Sequence, residues 1–135
     1  MMQLGIVGAG FMAETHADRY DAIPGAEVSA VASPNTAEAF VADKGINATA
    51  YADAEEMYED AEVDAVDICT PTHTHESLVI GAAERGLDII CEKPLARYIS
   101  EAERITDAVD DAGITAMVGH VIRFFPSTRR CANRP

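Results

Sequence analysis

Lysine is almost absent from this acidic chain. Only Lys44 and Lys93 occur in 135 residues, and 23 Asp and Glu against 10 Lys and Arg give a formal net charge of −13. Because contacts to nucleic-acid phosphates need clustered Lys and Arg, we expect no nucleic-acid partner. High negative charge keeps a protein soluble at the cost of self-repulsion, a device that halophiles use. We therefore expect a halophilic host.

Long apolar runs and paired cysteines are missing too. No apolar run approaches the roughly 20 residues of a membrane span, and the N-terminus lacks the pattern of a signal peptide, so we expect a cytoplasmic protein without a membrane partner. Cys69, Cys91 and Cys131 form no C-x-x-C pair, which indicates neither a zinc site nor a disulfide framework. His73 and His75 are two residues apart near a predicted helix start, so their side chains point apart. We therefore predict no metal.

The most informative segment that is present is the N-terminal Gly5-Ile-Val-Gly-Ala-Gly-Phe-Met-Ala13. An apolar segment runs into G-x-G-x-x-A and then into a helix-like segment. Gly8 permits a tight turn, Gly10 lets a pyrophosphate approach the backbone, and Ala13 lets the helix pack close to the strand. The helix N-terminus then faces the anion with its free N–H groups. This pattern predicts dinucleotide binding.

Strand and helix signals alternate along the chain to residue 118. Strands are predicted at Gln3–Val7, Glu27–Ala32, Ala48–Tyr51, Ala65–Cys69, Asp88–Cys91 and Thr115–Val118, and helices at Phe11–Ile23, Thr36–Lys44, Asp53–Asp60, Thr72–Arg85 and Ser100–Ala112. Such alternation predicts parallel pairing with right-handed crossovers. The expected fold class is α/β, a doubly wound parallel sheet of the Rossmann type in three α/β/α layers, with strand order 3-2-1-4-5-6.

Helix ends and core positions can also be predicted. Asp53 and Ser100 are candidate N-caps, the latter with Glu103 three residues on, and Gly45 and Gly113 suit helix C-termini. Apolar residues of the predicted strands and helices should form the core: Leu4, Ile6, Val7, Val28, Val31, Val66, Ile68, Leu78, Ile89, Ile90, Ile105, Val109 and Val118.

The end of the second predicted strand bears on the choice of coenzyme. A carboxylate there binds the ribose 2′-hydroxyl of NAD, whereas a small polar residue with a nearby Arg accommodates the 2′-phosphate of NADP. Here Ser33 is followed by Pro34 and Asn35, with neither an acid nor an Arg. We expect NADP or NAD, with NADP favoured, while a plain turn role for Ser33 stays open.

Two loops follow the fourth and fifth predicted strands, where open α/β sheets bind ligands. The first begins Thr70-Pro-Thr-His-Thr-His75, in which Thr72 is alternatively a helix cap. The second is Glu92-Lys-Pro94. An ammonium at Lys93 could orient a substrate oxygen and stabilise developing negative charge, or it could simply pair with Glu92.

These segments together resemble the Gfo/Idh/MocA oxidoreductase family. The resemblance covers residues 2 to about 126 and rests on the glycine turn, T-P-x-x-x-H, the run from Cys91 to Ala96 that contains E-K-P, and the run from Gly119 to Phe124. Such proteins transfer hydride between NAD(P) and a hydroxyl carbon of sugars and cyclitols. They join an N-terminal Rossmann domain to a C-terminal α/β domain.

The resemblance implies a role for each matching residue. The pyrophosphate would be held by Gly8, Gly10, Phe11 and Met12, and the adenosine ribose would lie at Ser33. The cofactor cleft would be lined by Thr70, Pro71 and His75, and Glu92 would touch the nicotinamide ribose. Lys93 would be the catalytic residue that positions substrate and cofactor, with His120 and Arg123 near the substrate.

The C-terminal residues depart from the resemblance. Residues 1–125 are expected to be the NAD(P)-binding domain, and residues 126–135 carry three Arg and no acid. One choice of codons with a restored base yields an acidic continuation, so we expect a frameshift that removed the C-terminal domain. An ordinary disordered tail is the alternative. That domain would carry the D-x-x-x-H proton donor, most of the sugar pocket and the contacts of a homo-oligomer. The chain alone would then bind coenzyme with little turnover, as an oxidoreductase fragment, a non-catalytic dinucleotide-binding module, or an inactive fragment with an exposed apolar patch.

Overall fold

A computed structural model describes residues 1–125. Six strands alternate with five helices along the chain. They are β1 Met2–Val7, α1 Phe11–Tyr20, β2 Ala26–Ala32, α2 Ala37–Lys44, β3 Thr49–Tyr51, α3 Ala54–Asp60, β4 Ala65–Ile68, α4 His75–Glu84, β5 Asp88–Cys91, α5 Ile99–Ala112 and β6 Ala116–Val118. Short 3-10 turns at Thr72–Thr74 and Val121–Phe124 precede α4 and follow β6.

The six strands form one parallel sheet in the order β3-β2-β1-β4-β5-β6, which confirms the predicted fold class and strand order. Val7 pairs with Ile68, Ile68 with Cys91, and Cys91 with Val118. The carboxyl ends of these four strands therefore lie side by side at one edge of the sheet. The loops after β1, β4 and β5, which carry the predicted site residues, meet at that edge.

Two apolar clusters cover the two faces of the sheet. Ala13 and Ala17 of α1 and Phe40 of α2 pack with residues such as Ile6 and Val31 on one face. The other face is packed by α3, α4 and α5 around residues that include Met57, Val79 and Ile105. Nine of the thirteen predicted core residues are buried, and the four that are only half-buried are Leu78, Ile90, Val109 and Val118. Ile90 and Val118 are less covered because they lie in or beside the edge strand.

The helix ends follow the predictions in part. The Asp53 carboxylate accepts hydrogen bonds from the backbone N–H groups of Glu55 and Glu56, which confirms this N-cap, and Gly45 and Gly113 take the left-handed conformation as predicted. The prediction for Ser100 is wrong. Helix α5 begins at Ile99 with Tyr98 as its N-cap, and the Glu101 carboxylate in its first turn accepts the backbone N–H of Arg97 at 2.9 Å.

Large apolar side chains are exposed around the end of the described chain. Met117, Val121, Ile122, Phe124 and Phe125 expose 52–64% of their surface. The predicted basic tail at 126–135, with Cys131, lies outside the described residues. Among helices within residues 1–125, none combines the length and the apolar character that crossing a bilayer would require.

Candidate functional site: a cleft at the carboxyl ends of the strands

The turn between β1 and α1 uses its two glycines for different reasons. Gly8 has a φ of +107°, and a Cβ there would lie 2.8 Å from the carbonyl oxygen of Cys69, so both backbone conformation and space require glycine. Gly10 has an ordinary φ of −93°, and a Cβ there would meet no atom within 4 Å. Gly10 therefore faces open space, as close approach of a ligand to the backbone requires.

Helix α1 starts at this turn with an uncapped N-terminus. Gly10 is its N-cap and offers no side-chain hydrogen bond, so the first N–H groups of the helix lack the usual partner. Ala13 is fully buried on the sheet side and holds α1 close to β1. The free N–H groups and the positive end of the helix dipole together form an anion site.

A cleft of about 880 Å³ lies in front of this helix end. That volume suits a large cofactor. Seven predicted binding residues line it: Gly8, Gly10, Phe11, Met12, Ser33, Thr70 and Pro71. The tertiary structure thus collects residues from the loops after β1, β2 and β4 around one cavity.

The end of the cleft at β2 carries hydroxyl groups without a carboxylate at the strand terminus. Ser33 Oγ lies 2.7 Å from Thr36 Oγ1, and Asn35 takes a positive φ of 61° in the turn between them. A hollow of about 250 Å³ adjoins these residues. Its lining includes one carboxylate, that of Glu38 in the first turn of α2.

His75 does not line the cleft. The ring is buried, with 1% of its surface exposed. Its Nε2 lies 2.8 Å from the carbonyl oxygen of Thr70, and its Nδ1 lies 3.1 Å from that of Pro94. His75 therefore joins the loop after β4 to the loop after β5, and it supports the cleft wall from beneath.

Glu92 and Lys93 are adjacent in sequence but differ in exposure. Glu92 is buried, 6% exposed, and its Oε2 accepts a hydrogen bond from the backbone N–H of Lys93 at 3.0 Å. The Lys93 side chain is exposed, and within residues 1–125 its ammonium makes no ion pair with Glu92. The alternative of a simple Lys93–Glu92 ion pair is therefore wrong. The Lys93 ammonium projects into solvent at the carboxyl edge of the sheet.

His120 and Arg123 follow β6 at the same edge. Both side chains are exposed, and the Arg123 backbone N–H donates to the carbonyl oxygen of His120 at 3.0 Å. Neither residue lines the cleft that contains Gly10. The residue before them, Gly119, donates its backbone N–H to the carbonyl oxygen of Cys91 at 2.8 Å, so this segment starts beside the end of β5.

Behind the cleft lies a polar cluster that sequence reasoning missed. Asp67, in the middle of β4, is completely buried. Its Oδ2 accepts hydrogen bonds from His16 Nδ1 and from the Tyr20 hydroxyl, both at 2.7 Å, and its Oδ1 accepts the Cys69 thiol at 3.4 Å. The sequence signal for this cluster is an acidic residue within an otherwise apolar predicted strand. A buried carboxylate there must accept hydrogen bonds from nearby side chains.

The cluster changes the proton affinity of its members. The hydrogen bond to Asp67 raises the pKa of His16 above 6.5, against the opposing effect of burial, and the charges of Asp67 and Glu92 add to the rise. Burial, with the nearby Asp67 charge, raises the pKa of the Tyr20 hydroxyl and of the Cys69 thiol. The thiol and hydroxyl therefore stay protonated and donate to the carboxylate.

The donor atoms of His16, Asp67 and Cys69 lie within 4.8 Å of one another. Such spacing would also suit a metal ion. However, the imidazole, the thiol and the Tyr20 hydroxyl already give both oxygens of the Asp67 carboxylate hydrogen-bond partners. We therefore describe the cluster as a hydrogen-bond network rather than a set of metal ligands.

Known proteins resemble this chain in both sequence and fold. Residues 2–120 match the family model of the Gfo/Idh/MocA oxidoreductases, described as an oxidoreductase family with an NAD-binding Rossmann fold. Levoglucosan dehydrogenase of Pseudarthrobacter phenanthrenivorans is 36% identical over 93% of this chain and 35% of its own length. D-xylose 1-dehydrogenase (NADP(+)) 2 of Haloferax volcanii is 41% identical over 78% of this chain and 33% of its own length.

A solved structure supports the same relationship. Myo-inositol dehydrogenase from Lactobacillus casei, in complex with NAD(H) and myo-inositol, superimposes with a TM-score of 0.90 at 33% identity, over 96% of this chain and 40% of its own. The present chain thus spans a third to two-fifths of the length of these relatives. With the family model covering most of its length and the glycine turn in the matching place, this chain belongs to the Gfo/Idh/MocA oxidoreductases, as an NAD-binding Rossmann fold.

Proposed function

We propose that the cleft binds a nicotinamide dinucleotide with the pyrophosphate at the N-terminus of α1. The uncapped helix end at Gly10, facing open space inside the cleft, carries this proposal. Its N–H groups gain partners when an anion binds. Phe11 and Met12 lie in the first turn of the same helix, so their backbone N–H groups belong to that anion site. Family membership supports the same ligand.

NADP is the favoured coenzyme, with NAD as the alternative. Ser33 and Thr36 offer hydroxyl groups at the end of β2, where a carboxylate would repel a 2′-phosphate. The adjoining hollow of about 250 Å³ has the volume for that phosphate, although the Glu38 carboxylate in its lining would repel it, so NAD stays the alternative. One relative, from Haloferax volcanii, carries NADP(+) in its name, whereas the Lactobacillus casei enzyme was solved with NAD(H).

In a longer protein this fold would serve hydride transfer between nicotinamide and a hydroxyl carbon of a sugar or cyclitol. The names of the relatives support this substrate class, since they include dehydrogenases of levoglucosan, xylose and inositol. The Lys93 ammonium is exposed at the edge where the nicotinamide end would lie, and it would hold the substrate oxygen. His120 and Arg123 would lie on the substrate side. A second domain would complete the sugar pocket and the contacts of a homo-oligomer.

The chain by itself is expected to bind coenzyme with little or no turnover. Hydride transfer from a hydroxyl carbon needs a proton acceptor, and the family D-x-x-x-H motif is not in this sequence. A non-catalytic dinucleotide-binding module is the second candidate function. The exposed apolar side chains from Val121 to Phe125 favour instead a surface that packs on further protein.

Thermal unfolding and calorimetric titration of the chain in concentrated KCl test the binding proposal. NADPH or NADH should raise the melting temperature in proportion to the logarithm of its concentration, with the larger rise for NADPH. Sodium pyrophosphate alone should compete. Native chain that shows neither heat nor a melting shift with any of the four pyridine nucleotides would refute coenzyme binding. Absorbance screening with polyols then separates an enzyme from a binding module.

A further inference from the structure

The polar network behind the cleft connects α1, the helix at the proposed pyrophosphate site, to the loop after β5 that contains Glu92 and Lys93. His16 lies on the second turn of α1, directly after the glycine turn. Its Nδ1 donates to Asp67 at 2.7 Å, and its Nε2 lies 3.4 Å from Oε1 of Glu92. The imidazole therefore stands between two buried carboxylates, Asp67 on β4 and Glu92 in the loop after β5.

Glu92 contacts both His16 and the backbone of Lys93. One carboxylate oxygen faces His16, and the other accepts the backbone N–H of Lys93 at 3.0 Å. The backbone at Gly119 also lies close to the oxygen that faces His16, since a Cβ there would be 3.0 Å from Oε1. Glu92 thus has little freedom to turn, and its carboxylate sets the position of the Lys93 backbone.

We propose that His16 is a positioning residue, whose imidazolium between Asp67 and Glu92 fixes the Glu92 carboxylate and thereby the backbone of Lys93. Only the doubly protonated ring can donate to both carboxylates at once. Without that proton, two buried carboxylates flank a neutral ring, and Glu92 loses its cation. The groups that face His16 are Asp67 on β4, Cys69 after β4, Glu92 after β5, and Tyr20 on α1.

This inference rests on the proposed function only in giving Lys93 a role at the substrate. The coupling of His16 to Lys93 is a property of the chain without coenzyme. It can therefore fail or hold independently of coenzyme binding, which calorimetry measures separately.

The test is an NMR pH titration of the chain without ligand, following the His16 ring and the Lys93 amide. In the unsubstituted chain, the Lys93 amide shift should follow the His16 titration with the same midpoint, above 6.5. In His16→Asn, the amide nitrogen can replace Nδ1 at Asp67 but cannot titrate, so the Lys93 amide should lose its titration in this range. His73→Gln, at an exposed histidine, is the matched control and should change neither titration.

Glu92→Gln gives a second, independent readout. It keeps the shape of the side chain but removes one charge that favours the imidazolium, so the His16 midpoint should move to lower pH. The proposal is overturned if the Lys93 amide titrates unchanged in His16→Asn, or if it stays constant while the His16 ring titrates in the unsubstituted chain. An unchanged His16 midpoint in Glu92→Gln also overturns it, even if His16→Asn fails to fold.

Discussion

His16 Nδ1 lies 2.7 Å from Oδ2 of Asp67, a carboxylate with no exposed surface. The two residues are 51 positions apart in sequence, so only the packing of α1 against β4 brings them together. A buried carboxylate that loses a charged donor pays a large desolvation cost. The protonated ring therefore stabilises the fold as well as the loop after β5.

The first prediction is a pH dependence of stability that originates from His16. Its pKa is raised above 6.5 in the folded chain, so the pair contributes fully below 6.5 and the contribution is lost as pH rises through the folded pKa. Urea unfolding of the unsubstituted chain should therefore show a free energy of unfolding that falls in this range, and His16→Asn should show a smaller fall. An equal fall in both proteins would assign the effect to other groups.

The second prediction separates the two glycines of the turn. Gly10→Ala should fold normally, because its φ of −93° suits alanine and its Cβ meets no atom within 4 Å. That Cβ would enter the space of the pyrophosphate, so coenzyme affinity should fall by a factor of ten or more, about 1.4 kcal/mol. Calorimetry and thermal unfolding measure the two effects.

Gly8→Ala is the matched comparison. Its φ of +107° and the contact at 2.8 Å with the Cys69 carbonyl should destabilise the fold, by about 1–3 kcal/mol. Gly8→Ala that unfolds like the unsubstituted chain would contradict the geometry of the turn.

The third prediction concerns coenzyme selectivity at Ser33. Ser33→Asp places a carboxylate at the end of β2, where it repels a 2′-phosphate and accepts a hydrogen bond from a 2′-hydroxyl. NADPH affinity should fall about tenfold, the effect of roughly 1–2 kcal/mol between close like charges near a surface, while NADH affinity should hold or rise. Ser33→Ala removes the bond to Thr36 without adding charge and is the control. Equal losses for both coenzymes in Ser33→Asp would argue against a ribose site here.

The fourth prediction compares two candidate helix caps. Asp53→Ala removes an acceptor of two backbone N–H groups at the start of α3 and should lower the free energy of unfolding by about 1 kcal/mol. Ser100→Ala should change it by less than about 0.5 kcal/mol, because Ser100 lies inside α5 rather than at its N-cap. Denaturant unfolding of both variants at one pH makes the comparison, and a larger loss for Ser100→Ala would reverse it.

The fifth prediction concerns salt. With a formal net charge of −13, mutual repulsion of the acidic side chains should destabilise the chain at low ionic strength, where the Debye length is long. The free energy of unfolding should rise from low to molar KCl. A flat or falling salt profile would count against a halophilic host.

The fold was predictable because its signals are local. Alternating strand and helix segments dictate parallel pairing, and a glycine turn after the first strand is typical of the Rossmann type with its strand order 3-2-1-4-5-6. The topology and the residues around Gly10 could therefore be predicted. Asp53 was predictable as a cap for the same reason, since its partners are two and three residues away. Ser100 was not, because α5 begins at Ile99 with Tyr98 as its N-cap, and Glu101 in its first turn accepts the backbone N–H of Arg97.

The polar groups behind the cleft were decided only by tertiary structure. The sequence identified Glu92 and His75 as cleft residues, but both turn inward, where Glu92 faces His16 and His75 bridges two loops. The direction of a side chain at the end of a strand depends on which hydrogen-bond partner from a distant part of the chain lies opposite. The residues next to it in sequence do not predict that partner. A buried carboxylate adopts the place where its hydrogen bonds are satisfied, and Asp67 finds His16, Tyr20 and Cys69 only after α1 has packed against the sheet.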